Sequence, residues 1–81
     1  MARVLLFGPL RDLAGWRERD LEPPPASIAE LKQRLAAEDA RLGEALAGAG
    51  VQVALDQQIV RGDAQLSARS EVAFLPPMSG G

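Results

Sequence analysis

The chain has 81 residues, of which 47% are hydrophobic; nine basic and eleven acidic side chains leave a net charge of −2, and cysteine and histidine are absent. This length leaves no room for a second domain of ordinary size, and without those two residue types a disulfide framework, a thiolate nucleophile, a Cys-ligated metal and an imidazole base are excluded. No Lys/Arg cluster suited to phosphates appears, no apolar run is longer than Val4 to Phe7, far short of the ~20 residues that span a bilayer, and no signal-peptide pattern opens the chain. A cytoplasmic protein with no metal site, no nucleic-acid partner and no membrane contact is therefore expected.

Residues 3–8 (Arg3-Val4-Leu5-Leu6-Phe7-Gly8) have the composition of a strand, closed by the breaker Gly8-Pro9. Leu10 and Leu13 suit a single helical turn before Gly15. Trp16 to Leu21 reads as a polar edge strand, on which charge discourages further pairing. Pro23-Pro24-Pro25 lack amide protons and predict a stiff connector. Ser27 with Glu30 three residues later is a capping-box pattern, and Ile28, Leu31 and Leu35 then fall on one helical stripe. Leu42, Ala45 and Leu46 continue the period in a shorter segment that Gly48 and Gly50 end. Val51 to Leu55 and Gln58 to Val60 read as strands around Asp56-Gln57, and Glu71 to Leu75 as the last strand. The order β, β, α, short α, β, short β, β predicts an α+β fold, a mixed sheet with one main helix packed across it and a short second helix.

A sheet with one wet face should alternate, yet Val4-Leu5-Leu6-Phe7 and Val72-Ala73-Phe74-Leu75 are apolar on both parities. If Val4, Leu6, Val72 and Phe74 face the helix, then Leu5, Phe7, Ala73 and Leu75 lie opposite, joined by Ile59 or Val60. Either a loop or the short helix folds over them, or they form an interface with another protein. Among the remaining residues, Trp16 is expected to pack at the second strand. Asp56, Asp63 and Glu38-Asp39 are expected to serve turns and helix ends rather than acid–base chemistry.

The segment Leu75-Pro76-Pro77-Met78-Ser79-Gly80-Gly81 carries the functional signal. Two prolines end the sheet ladder and direct the chain into an extended path. Six residues beyond Leu75 reach about 20 Å at ~3.3 Å each, and the last two bear no side chain. Such an arm fits a narrow channel and delivers one useful group, the α-carboxylate of Gly81.

The strand Arg3–Phe7 with Leu10-Arg11-Asp12-Leu13-Ala14-Gly15, the Ser27…Leu31…Leu35 helix, the Val53-Ala54-Leu55 strand and above all Glu71-Val72-Ala73-Phe74-Leu75-Pro76-Pro77-Met78-Ser79-Gly80-Gly81 resemble the small subunits of molybdopterin synthase, the MoaD-type sulfur carriers. The resemblance departs from the family pattern at Asp56, where asparagine is usual, and at Ala68-Arg69-Ser70, where an Asp-Gly-Asp turn is usual. It implies a ubiquitin-like β-grasp domain over residues 1–75 and an extended Gly-Gly tail over 76–81.

It further implies a carrier cycle with no bound cofactor. An ATP-dependent adenylating enzyme of the ubiquitin-activating type activates the Gly81 carboxylate, and sulfur then replaces AMP to give a thiocarboxylate. The large catalytic subunit of molybdopterin synthase accepts the tail, with Gly80 and Gly81 at the reacting end, and the sulfur passes to cyclic pyranopterin monophosphate in molybdenum cofactor biosynthesis. The chain is thereby a sulfur-carrying subunit of a transferase complex and not catalytic alone. Residues implied to bind the partner are Phe7, Ile59, Phe74, Leu75, Pro76, Pro77, Met78 and Ser79. Two alternatives are a related sulfur carrier for thiamine synthesis or tRNA thiolation, and a ubiquitin-like modifier joined through Gly81 to target lysines.

Overall fold

A computed structural model describes residues 1–77. In chain order the elements are β1 (Ala2–Leu6), α1 (Pro9–Ala14), β2 (Glu18–Leu21), α2 (Ile28–Glu38), α3 (Ala40–Leu46), β3 (Gln52–Leu55), β4 (Gln58–Val60) and β5 (Glu71–Leu75). The five strands form one sheet in the order β2-β1-β5-β3-β4. Its central pair, β1 and β5, is parallel, and the other neighbours are antiparallel. This is the mixed sheet that the element order predicts and the ubiquitin-like β-grasp that the resemblance implies, with charged β2 at one edge and three-residue β4 at the other.

Among the described residues there are three helices where one main and one short helix were expected. The Leu10–Leu13 turn is a six-residue helix, because Pro9 occupies its first turn with φ already set and Gly15 closes it in the left-handed conformation, donating to the Arg11 carbonyl at 2.9 Å. The second strand is shorter than expected. The Arg17 carbonyl still accepts the Leu6 amide at 2.9 Å, but the β2 ladder itself begins at Glu18.

Helix α2 starts at the predicted cap, with the Glu30 amide donating to Ser27 Oγ at 3.1 Å. The reciprocal bond is displaced by one residue, since the Glu30 carboxylate accepts the amide of Ala26. Asp39 divides α2 from α3: its amide donates to the Leu35 carbonyl, while Oδ1 accepts the amides of Arg41 and Leu42 at 3.1 and 3.2 Å. Replacing Ser27 with alanine removes the cap acceptor, and we expect a loss of about 1 kcal/mol. Urea titration should show a lower midpoint with an unchanged slope.

The core lies between the sheet and the helices. Val4 and Leu6 of β1, Val53 of β3 and Val72 and Phe74 of β5 meet Ile28, Leu31 and Leu35 of α2 and Leu42 and Leu46 of α3 in one buried cluster. The i, i+3, i+7 stripe of α2 is thus its buried face.

Candidate functional site

Strand register fixes what occupies the face of the sheet turned away from the helices. Leu5 pairs with Ala73, Ala73 with Ala54, and Ala54 with Ile59, so these four side chains form one row across four strands. Leu75, paired with Gln52, and Phe7, two residues beyond Leu5, extend the same face by a further row. Phe7 is 45% and Ile59 49% exposed; Leu5, Ala73 and Leu75 are half-buried. Among the described residues neither a loop nor α3 covers this face, because Leu42 and Leu46 of α3 are committed to the core. Of the two covers considered from the sequence, the intramolecular one is absent there.

The face is polarised. At its far end Arg3 lies between Asp20 of β2 and Glu71 of β5 in the ladder. Its Nε stands 3.6 Å from both Glu18 Oε2 and Asp20 Oδ1. These exposed pairs add little stability, but they confine the apolar surface to the other end. Because β1 and β5 run parallel, Phe7 and Leu75 both stand at that end. The chain therefore leaves the sheet beside the apolar patch.

The expected acidic residues have structural partners. Asp56 and Gln57, at φ 50° and 71°, make the tight β3–β4 turn. Asp56 Oδ1 accepts the Glu71 amide at 2.9 Å, and the Asp56 amide donates to the Glu71 carbonyl at 2.8 Å, tying the hairpin tip to β5. Asp63 Oδ1 accepts the amides of Ala29 and Ala64, both at 2.9 Å. Glu38 receives Arg19 Nη2 at 2.8 Å. Trp16 is half-buried against the core, with the Arg19 guanidinium 5.1 Å from its ring centroid.

Of the residues expected to bind a partner, Phe7, Ile59 and Leu75 share the open face. Phe74 does not. It is 0% exposed and belongs to the core, so its placement in the partner surface is corrected: β-strand alternation, which turns it toward the helices, prevails. Pro76 is half-buried and Pro77 exposed. Val60, the alternative to Ile59, pairs with buried Val53 and packs against the core. Met78, Ser79, Gly80 and Gly81 lie outside the described residues, as does most of the expected tail. Gln52, on the open face opposite Leu75, was not anticipated, because only the β3–β5 register places it there. No helix among the described residues is long and apolar enough to cross a membrane.

Comparison with known proteins adds to this geometry. A model of the ThiS family matches residues 4–81. The molybdopterin synthase sulfur carrier subunit of Escherichia coli K12 is 33% identical over 81 residues, covering 100% of both chains. Among solved structures, SAMP1 from Haloferax volcanii superposes with a TM-score of 0.84 at 22% identity, covering 99% of this chain and 98% of that one. The solution structure of small archaeal modifier protein 1 from Methanosarcina acetivorans gives the same TM-score and identity over 99% and 95%. At that identity the two archaeal structures establish likeness of fold.

Proposed function

The chain belongs to the ThiS family, and from that footing we propose that it is the sulfur-carrying subunit of a molybdopterin synthase. Full-length similarity to the Escherichia coli sulfur carrier subunit supports the choice of pathway. The observation that carries the reading is the apolar patch on the open face, in which Phe7 and Leu75 stand at the end of the sheet where the chain departs and Ile59 lies one row behind them. A partner gripping that patch receives the C-terminal arm at the same time.

The chemistry resides in the Gly81 carboxylate. A carboxylate is a poor electrophile; attack of its oxygen on the α-phosphorus of ATP, with pyrophosphate leaving, makes an acyl adenylate. A sulfur nucleophile then takes the acyl carbon, AMP departs, and a thiocarboxylate remains. The large subunit of the synthase accepts the tail and supplies the proton transfers, for which this chain has no histidine or cysteine. Cyclic pyranopterin monophosphate receives the sulfur. Incubating the thiocarboxylated protein with this precursor and the large subunit should yield sulfurated pterin; sulfur passing only to tRNA or to a thiazole would overturn the assignment.

Likeness of fold to the small archaeal modifiers supports a second reading, conjugation of Gly81 to lysines of other proteins. Denaturing gels of cell extract, probed for this chain, would then show a ladder of conjugates.

Substituting Phe7 and Ile59 together with aspartate should weaken binding to the large subunit by at least about 2 kcal/mol, roughly thirtyfold, by calorimetry. Both side chains are exposed in the unbound chain. Stability should therefore change by no more than about 0.5 kcal/mol per site.

A further inference from the structure

Strand β5 lies between β1 and β3, so the segment after Leu75 passes between the chain that follows β1 and the chain that precedes β3. A glycine stands on each side. A Cβ placed on Gly50 would lie 2.8 Å from Pro77 Cβ, and 3.7 Å from its Cα and Cγ. The first distance is well inside the ~3.5–4.0 Å at which carbon atoms pack. A Cβ on Gly8 would lie 3.2 Å from Pro76 Cγ. The two prolines thus meet opposite flanks, Pro76 the β1 side and Pro77 the β3 side.

Backbone conformation alone does not account for these two glycines. Gly8 and Gly50 have φ of 55° and 89°, but Gly15 and Gly62 have φ of 83° and 77° with no atom within 4 Å of an added Cβ. At Gly15 and Gly62 a left-handed turn is the whole requirement. At Gly8 and Gly50 the prolines impose a second one.

We infer that Gly8 and Gly50 are positioning residues, a bracket that holds Pro76 and Pro77 from both sides and fixes the place and direction in which the chain leaves Pro77. The inference rests on the reading of Gly81 as the working group and adds what aims it. Each proline already has its φ fixed by its ring, so the bracket removes the remaining lateral swing. Aiming contributes to reaction rather than to docking: a reacting atom misplaced by about 1 Å can cost a hundredfold in rate, while affinity for the partner is set by the open face.

The test compares Gly50→Ala with Gly62→Ala, which carries similar backbone strain and no proline contact. Each full-length protein is incubated with a ubiquitin-activating-type adenylating enzyme, ATP and sulfide, and thiocarboxylate is followed by intact mass. Gly50→Ala should lower kcat about tenfold or more with KM for the carrier within about twofold, and Gly62→Ala should change neither. Equal kcat for the two variants, with wild type converted normally, overturns the bracket and leaves the role of Gly81 standing. If Gly50→Ala does not fold, Pro77→Gly decides in its place, because it removes the contacting ring and keeps the glycine: the same tenfold fall supports the bracket, and an unchanged kcat overturns it. An independent measurement is the nuclear Overhauser contact between the Gly50 α-protons and the Pro77 ring in the wild type. If wild type takes up no sulfur, the role of Gly81 fails, and this contact judges the bracket by itself, its presence supporting and its absence refuting it.

Discussion

Deletion of Gly81 is expected to abolish the oxygen-to-sulfur mass increase of the protein isolated from cells, with no change in its unfolding midpoint. The two halves of that expectation come from different parts of the molecule. Among the described residues every buried hydrophobic side chain lies between Ala2 and Phe74, and β5 ends at Leu75, so the deletion touches none of them. The deletion moves the terminal carboxylate to Gly80, about 3.3 Å back along an extended chain. On the proposed reading that displacement is large against the tolerance of a reacting pair, which an adenylating enzyme would have to hold at near-attack distance. Mass spectrometry of wild type and deletion variant, with urea titration of both, checks the two halves together. A deletion variant that still acquires sulfur would overturn the requirement that the carboxylate stand at Gly81. So would a chain that restores cofactor synthesis despite an uncleavable residue added after Gly81.

The parts of this site that were legible in the sequence are those that depend on alternation. In β1 and β5 apolar residues occupy both parities, and the structure divides them as a pleated strand must: Val4, Leu6, Val72 and Phe74 inward, and Leu5, Phe7, Ala73 and Leu75 to the open face. Three-residue β4 offers too few alternations to choose between Ile59 and Val60, and only its pairing with β3 decides. Helix α1 was underestimated because six residues hold less than two turns of periodicity. The contacts of Gly8 and Gly50 with Pro76 and Pro77 join residues far apart in the chain. They become visible only once β5 is known to lie between β1 and β3. The resemblance implies Phe74 as a partner-binding residue, but neighbouring residues of a strand point to opposite sides, and the alternation of β5 turns Phe74 into the core while Leu75 faces outward.

That opposition yields the second large effect. Phe74 pairs in register with Leu6 on one side and Val53 on the other, both buried, and is itself 0% exposed at the centre of the core. Truncation to alanine should cost about 3–5 kcal/mol, the usual range for a buried phenylalanine. A domain of this size has a total stability on the order of 4–12 kcal/mol, so Phe74→Ala should remove roughly a quarter of it or more and lower the urea midpoint in proportion. Leu75, the next residue, is half-buried on the opposite face, and Leu75→Ala should cost only about 1 kcal/mol of stability while weakening the large-subunit complex. Urea titration and calorimetry on this pair set the two faces against each other at adjacent positions. If Phe74→Ala kept its stability and lost binding instead, the inward parity of β5 would be wrong. The open face, the patch beside the departing chain and the direction of the arm would then all have to be reassigned, since each follows from that parity.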